Sequence, residues 1–259
     1  MGRLWPVWIL VGLLLAGLTG CGSAGSNSRE VVARVAGVGS IDKGMLAHWM
    51  GVEAAVIHEE LPTKPAPKGV LPDPPGFADC VRFLESYAPT SAGLSGADHT
   101  VKLTAGELKR QCEHEYQELK QITLNTLITW YWTIGVGLSL GIRFSDAEVR
   151  ERLATVNKRL FPKPQDFSNY LKWTGQTIGD MLLRSKVQLY EVKMIAAATK
   201  AHQQLTKTSS AQQRQAILAA ITESISPAQH WVPKTSCAPG YIASACKEYH
   251  GPLTPGDPN

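Results

Sequence analysis

Most of the chain carries hydrophobic residues at the three- and four-residue spacing of amphipathic α-helices. One such stripe follows Asp42, a second runs from Val149 to Leu160, and a third consists of Leu183, Val187, Tyr190 and Met194. A β-branched run over 31–35 precedes the first stripe and indicates a short strand. The pattern therefore predicts a mainly α-helical fold with one short N-terminal strand.

Residue pairs with the spacing of a capping box indicate where two helices begin. Thr104 with Glu107 predicts the start of a long helix, and Ser145 with Glu148 predicts the start of the next one. Further N-caps are expected at Asp42 and Thr177. Glycines that suit the position just after a helix end are Gly141 and Gly175.

The uncharged stretch 122–142 is long enough to cross a bilayer. The stretch is poorly soluble in hydrocarbon because it contains threonines, Asn125, Ser139 and three glycines. Its large apolar residues recur on one helical face, as in a helix that packs against protein. We therefore predict a buried central helix, with membrane insertion as the alternative.

Residues 1–20 have the pattern of a lipoprotein signal peptide. Arg3 precedes an apolar run over 7–18 that is short for a permanent membrane span, and small residues stand directly before Cys21. We expect Cys21 to be acylated and the Gly- and Ser-rich residues 21–29 to form a flexible tether. A structural cysteine near a cleaved end is the alternative. The protein is thus expected at the extracytoplasmic face of the cell membrane, held there by lipid.

The remaining chain divides at changes of composition. Residues 30–199 are predicted to form a helical domain, and the polar residues 200–209 a joint after its last long helix. Residues 210–249 are predicted to add a C-terminal helix and a tail closed by a disulfide to the same domain. The Pro- and Gly-containing residues 250–259 are expected to be disordered.

Residues 61–76 contain six prolines. Proline fixes φ and removes a backbone donor, so this segment cannot form a packed element of its own. We predict an exposed loop that acts as a spacer, with a Pro-rich peptide ligand as the alternative.

Four cysteines remain once Cys21 carries lipid, and an even number outside the cytoplasm favours disulfides. Three pairings are possible, and local pairing within each half is the economical one: Cys80 with Cys112, and Cys237 with Cys246. Zinc is the alternative, but neither C-x-x-C nor H-x-x-x-H spacing occurs. No metal site is expected.

Charge and polar motifs indicate no catalysis. The net charge of +4 is mild and dispersed, which argues against nucleic acid as a partner. Seven histidines are scattered without helical partners, and no phosphate loop or nucleophile motif occurs. We therefore expect neither a catalytic residue nor a cofactor.

The chain does carry a surplus of large aromatic and methionine side chains. Tyr131 is expected on the inward face of its helix, and because consecutive helix residues point about 100° apart, Trp130 and Trp132 cannot both share its direction. Core packing is the ordinary outcome, and a groove that contacts clients is the alternative. The candidate client-binding residues are Trp49, Met50, Trp130, Tyr131 and Trp132.

The stretch VVARVAGVGSIDKGMLAHWM resembles the opening of the SurA/PrsA family of extracytoplasmic foldases. Residues 141–194 are similar to that family's series of a helix, a short helix and a long helix, and FADC, LKRQCEHEYQELK and TSCAPGYIASACK resemble its lipoprotein members. The resemblance implies a SurA N-terminal-like domain. Family members commonly insert a parvulin-type prolyl isomerase domain at the position of residues 200–209, which are far too few to contain one. The family's isomerase activity is therefore not expected here.

These observations predict a lipid-anchored, chaperone-like module that binds unfolded or newly exported polypeptides through apolar contacts. Such holding needs no catalytic residue. Two alternatives stay open: a peptidyl-prolyl cis-trans isomerase with a degenerate site, and an envelope adaptor lipoprotein with one specific partner.

Overall fold

The computed structural model of the chain describes residues 30–60, 62–87, 103–205, 211–212, 215 and 227–251. Within them the fold is mainly α-helical with one small sheet, which confirms the predicted class. In chain order the elements are β1 (Val31–Val35), β2 (Gly39–Asp42), α1 (Lys43–His58), α2 (Ala78–Tyr87), α3 (Ala105–Ser139), α4 (Asp146–Leu160), α5 (Pro164–Thr174), α6 (Ile178–Leu205), α7 (Pro227–Trp231) and β3 (Thr235–Cys237).

Several sequence predictions concern residues outside these ranges. They include the signal peptide, Cys21 with its tether, most of residues 206–226 and the end of the C-terminal tail from residue 252. The predicted joint over 200–209 needs one correction, because α6 continues to Leu205. Polar composition there did not stop the helix, since Lys, Gln and Ala are good helix formers.

The sheet joins the two ends of the described chain. β1 and β2 form an antiparallel hairpin whose turn contains Gly37 at φ 77°, a conformation that favours glycine. β3 pairs antiparallel with the other side of β1, so the strand order is β2-β1-β3. The sequence predicted β1 alone. β2 and β3 are too short to show a recognisable alternation, and β3 finds its partner at the opposite end of the chain.

Side-chain caps begin the helices where the sequence predicted them. Asp42 accepts a 2.7 Å hydrogen bond from the backbone N–H of Met45 at the start of α1. Complete capping boxes precede α3 and α4, formed by the predicted threonine and serine with their glutamates. Two glycines with positive φ follow helix ends: Gly141 and Gly175. The helix boundaries are thus fixed by local hydrogen bonds and glycine conformation.

The main core surrounds α3 and is closed by residues 227–251, which we call the C-terminal segment. Trp132 is 1% exposed, and its indole N–H donates to the hydroxyl of Thr235 over 2.8 Å. That hydroxyl donates in turn to the carbonyl of Trp231 over 2.8 Å. At Gly137 an added Cβ would lie 2.0 Å from Tyr190, so α6 packs directly on the backbone of α3. The C-terminal segment therefore belongs to the same core as the helices.

The uncharged stretch at 122–142 forms the second half of α3 and its end. Five of its large residues are at most 1% exposed: Leu124, Leu127, Ile128, Trp132 and Val136. This is the buried central helix that the sequence predicted. Across the part of the chain that the structure describes, no helix combines the length and hydropathy needed to cross a membrane.

A second, smaller core lies between α4, α5 and α6. It is formed by Leu153, Tyr170 and Met181, with phenylalanines packed around them. Leu160, which the sequence placed on the inward stripe of α4, is instead 47% exposed. Leu160 is the last residue of that helix. The next residue, Phe161, packs in the second core instead, with its ring centroid 5.0 Å from that of Tyr170.

Two disulfides stabilise the fold, in the local pairing that spacing favoured. Cys80 is bonded to Cys112 and joins α2 to α3, and Cys237 is bonded to Cys246 at the end of β3. Both cysteines of the first pair are fully buried. Since α2 follows the proline-rich segment directly, this bond also holds that segment near the helices.

Candidate functional site

The five aromatic and methionine candidates lie in or against the main core. Trp49, Met50 and Trp132 are between 1% and 4% exposed, so no client could reach them at the surface of the described residues. Their burial follows from position, because α1 and α3 pack on each other and on the sheet through these faces. The sequence pattern indicated Tyr131 as the inward ring of its helix, but the structure buries Trp132 and leaves Tyr131 half-buried.

The other two candidates are half-buried and engaged with neighbours. Trp130 meets Trp49 edge-to-face with ring centroids 4.9 Å apart, and the guanidinium of Arg184 lies 5.6 Å from the Trp130 ring. Tyr131 lies over β2, where its hydroxyl donates to the carbonyl of Ser40 over 3.3 Å. Both side chains therefore fasten elements of the fold together, and a client-binding surface must be sought elsewhere.

An open groove runs between α1, the proline-rich segment and the end of α5. Its volume is about 510 Å³. Small residues of α1 form the floor, Pro65–Leu71 form one wall, and Lys172–Gly175 form the other. The floor is low because Ala47, Gly51, Ala54 and Ala55 lie on one face of α1 and have almost no side chain. We call this feature the α1 groove.

The proline-rich wall of the α1 groove is held in place at several points. Pro62, Gly69 and Pro72 are buried, and an added Cβ at Gly69 would lie 2.2 Å from the carbonyl oxygen of Asp79. Asp73 accepts hydrogen bonds from the backbone N–H groups of Asp79 and Cys80, at 3.0 to 3.2 Å. The segment was predicted as a spacer, but it is a folded wall anchored to α2.

The carboxylate of Asp73 is stabilised by this anchoring. Partial burial acts to raise its pKa, but the hydrogen bonds from the backbone of Cys80 and Asp79 outweigh burial and lower the pKa below its ordinary value. Asp73 is therefore ionised at neutral pH, where a negative charge also suits the N-terminus of α2.

Trp173 forms the aromatic part of the opposite wall. It is half-buried, lines the α1 groove, and packs in neither of the two helical cores. Sequence analysis did not select it, although a signal was present. Phe167, Tyr170, Leu171 and Thr174 form the inward stripe of α5, and Trp173 lies off that stripe.

The segment that carries Trp173 is fixed by a buried polar network. The side-chain amide of Gln176 donates to the hydroxyls of Tyr170, at 3.0 Å, and of Thr174, at 3.2 Å. The Thr174 hydroxyl donates to the carbonyl of Tyr170 over 2.7 Å. All three side chains are at most 9% exposed. These buried hydrogen bonds hold the end of α5 in one conformation, although the side-chain carbonyl oxygen of Gln176 has no partner among the described residues.

Two ion pairs fasten α1 to α6 beside the groove. His48, on the groove side of α1, lies 2.9 Å from a carboxylate oxygen of Asp180. Glu53 accepts a 3.0 Å hydrogen bond from Arg184, whose guanidinium also lies 5.0 Å from the Trp49 ring. These contacts connect the floor of the groove to the helix that follows its second wall.

Asp180 is also the capping carboxylate of α6. It accepts hydrogen bonds from the backbone N–H of Thr177 at 2.6 Å and from its hydroxyl at 2.7 Å. Burial acts to raise its pKa, but the bonds from Thr177 and the contact with His48 lower the pKa below its ordinary value.

The α1 groove offers apolar contact and basic side chains. Its ionisable lining residues among those described are His48, Lys68 and Lys172. Among the described residues no three histidine, cysteine or acidic side chains cluster as metal ligands. A second depression of about 380 Å³ lies on the other side of Pro67 and Lys68, against Phe83. The proline-rich wall is therefore a ridge with a groove on each side.

Comparison of the chain with protein-family models, with curated proteins and with solved structures finds no match.

Proposed function

We propose that this protein is a membrane-anchored, extracytoplasmic chaperone-like lipoprotein that holds segments of unfolded or newly exported polypeptides in the α1 groove. The single observation that carries the proposal is the groove: an open channel with an apolar floor, a proline-rich wall and the half-buried indole of Trp173. Such a surface binds many sequences weakly, since affinity comes from buried apolar area and not from fixed polar partners.

The rigidity of the groove supports the proposal. Its walls are held by a disulfide, by the Asp73 cap and by the Gln176 network, so they do not have to be ordered when a client binds. A preformed site avoids that entropic cost. The apolar walls thus stay exposed in the folded state without collapsing on one another.

The arrangement of elements supports a SurA N-terminal-like module. At the N-terminus a strand leads through a tight turn into a capped helix. After the long central helix α3 come a helix, a short helix and a long helix, and the C-terminal segment then returns to pair with β1. In this proposal the described residues form one body, and the inserted isomerase domain of the resembled family is absent. Holding is the activity, and no catalytic step is assigned.

The anchor part of the proposal depends on the pattern before Cys21. Two acyl chains on that residue contribute about 0.8 kcal/mol per buried methylene, enough for stable attachment to a membrane. Expression with a radiolabelled fatty acid tests this directly. Label and membrane fractionation should both be lost in Cys21→Ser, and label retained in that variant would contradict lipidation.

A binding experiment tests the groove. The full-length protein in neutral detergent is titrated against a fluorescent, permanently unfolded polypeptide, with protein-free micelles as the blank. We expect Trp173→Ala and Leu71→Ala to weaken binding, by about tenfold for the indole, because large apolar side chains dominate such contacts. Leu160→Ala is the matched control, since Leu160 is exposed to a similar degree away from the groove. Equal losses in Leu71→Ala and Leu160→Ala would contradict the proposed site.

The same preparation separates the two alternatives. An isomerase would accelerate proline-limited refolding at catalytic ratios, whereas a holding protein slows refolding in proportion to its concentration. An adaptor would bind one partner and leave two unrelated unfolded polypeptides unbound.

A further inference from the structure

The charge on the α1 groove has one sign. Its ionisable lining residues are His48, Lys68 and Lys172, and among the described residues no Asp or Glu lines it. His48 is already engaged by Asp180. Lys68 and Lys172 are exposed and form no ion pair or hydrogen bond with any described residue. Two uncommitted ammonium groups therefore border an apolar channel.

The two lysines belong to opposite walls. Lys68 lies in the proline-rich wall, and Lys172 stands next to Trp173 at the end of α5. Lysine side chains can lay their methylenes along apolar surface and keep the ammonium group at the rim. A segment lying in the channel would thus meet apolar groups below and a positive charge on either side. This charge distribution is complementary to apolar residues flanked by carboxylates.

The proline-rich wall favours a polypeptide over a lipid as the occupant. The carbonyl groups of Pro65 and Ala66 accept no hydrogen bond from any described residue. Prolines at 65 and 67 have no backbone N–H, so this stretch of wall presents mainly acceptors. An extended peptide backbone supplies N–H donors that match them, whereas an acyl chain with an anionic headgroup supplies none along its length.

We infer that the α1 groove prefers extended apolar segments that carry aspartate, glutamate or a terminal carboxylate beside the apolar residues, and that Lys68 and Lys172 determine this preference. The inference rests on the proposed function and narrows it from unfolded polypeptides in general to acidic-flanked apolar segments. Chains of that composition bind most tightly, and segments flanked by lysine bind least.

Three fluorescent peptides test the preference. They share one apolar core of valine and leucine and differ only in their flanks, which are Asp, Asn or Lys. Binding to the full-length protein in neutral detergent is measured by anisotropy. Each exposed ion pair contributes little, so we expect the acidic peptide to bind roughly fivefold tighter than the neutral one, and less so at high salt.

A charge-matched pair of variants assigns the preference to the groove. Lys68→Glu with Lys172→Glu should remove the preference for acidic flanks or reverse it. Lys64→Glu with Lys158→Glu changes the net charge equally, at exposed lysines that do not line the groove, and should leave the ranking unchanged. A ranking that follows net charge in both variants would overturn the inference.

The outcomes distinguish failure of the inference from failure of the proposed function. If all three peptides bind equally and Trp173→Ala weakens each of them, the groove holds polypeptides but does not select acidic ones. If no peptide binds, or Trp173→Ala has no effect, the proposed function itself fails. If oleate binds, if its binding requires Lys68 and Lys172, and if it displaces every peptide, the occupant is an anionic lipid and the inference is overturned.

Discussion

Two tryptophans on neighbouring parts of the fold differ in what surrounds them. Trp132 is 1% exposed, donates a hydrogen bond to Thr235 and lies among large apolar side chains of α3 and the C-terminal segment. Trp173 is half-buried, belongs to neither helical core and borders the α1 groove. Residue type alone does not separate these roles. The separation comes from how many elements pack over each ring.

The largest expected effect is on stability and comes from replacing the buried Trp132. Trp132→Ala should lower the free energy of unfolding by about 3–5 kcal/mol, because it leaves a cavity and removes the partner of Thr235. Trp173→Ala should cost less than about 1 kcal/mol, since the ring is half-buried and belongs to neither helical core. Urea unfolding followed by circular dichroism measures both. Trp132→Phe, which keeps much of the volume, should fall between them, and comparable losses at positions 132 and 173 would refute the contrast.

The next effect concerns the disulfide behind the groove wall. Replacing Cys80 and Cys112 together by Ala should lower the free energy of unfolding by about 3–4 kcal/mol on the loop-entropy estimate. It should also weaken client binding, because α2 and the proline-rich wall then lose their covalent link to α3.

The second disulfide provides the control for this experiment. The bond between Cys237 and Cys246 closes a shorter loop at β3, away from the groove. Its removal should destabilise the protein by about 2–3 kcal/mol and leave the affinity of the remaining folded protein unchanged. Loss of binding in both double variants would contradict the role given to α2.

A third experiment fills the groove without disturbing the core. An added Cβ at Gly51 meets only Leu71, at an ordinary 3.9 Å, so a side chain can be accommodated there. Gly51→Met should reduce client affinity about tenfold by occupying the channel, while replacement of a helical glycine keeps or raises stability by about 0.5–1 kcal/mol. Gly106→Met, at an open helical position of α3, is the matched control for binding. Unchanged affinity in Gly51→Met would show that clients bind elsewhere.

The smallest effect concerns the contact between His48 and Asp180. The pKa of Asp180 is lower in the folded protein than in an unfolded chain, so its contribution to stability is present at neutral pH. That contribution should disappear as the pH falls below about 4, through the depressed pKa of the folded state. The stability difference between wild type and Asp180→Asn should therefore be largest above about pH 5 and should shrink as the pH falls through the depressed pKa of Asp180.

A matched control for the pH experiment is Asp146→Asn. Asp146 also lies in the first turn of a helix, but it is exposed and forms no hydrogen bond with a described residue. Its substitution should change stability little at any pH in this range. A stability difference for Asp180→Asn that stays constant with pH would rule out the ionised carboxylate as its cause.

The sequence predicted most of the helical framework because helix ends are local. Asp42, Thr104 and Ser145 bind backbone N–H groups three residues away, so their effect is visible in a short window. β3 was missed for the opposite reason. Its three residues have no pattern of their own, and their partner strand is at the far end of the chain.

The groove could not be predicted because it depends on how three separate segments pack. The small residues of α1, the proline-rich wall and Trp173 each have an ordinary local explanation. Trp49 and Met50 show the same limit, since the hydrophobic stripe after Asp42 includes Trp49 but not Met50, and both residues are buried. Only the tertiary arrangement shows which large side chains are covered.

The most direct test of the account is site-specific photo-crosslinking to two unrelated, permanently unfolded polypeptides. A photoreactive phenylalanine analogue is placed at position 173, in the groove wall, or at position 195, where Ile195 is 67% exposed on α6. We expect both polypeptides to crosslink strongly from position 173 and weakly from position 195. Equal crosslinking from the two positions, or none from position 173, would contradict the claim that the α1 groove holds unfolded chains.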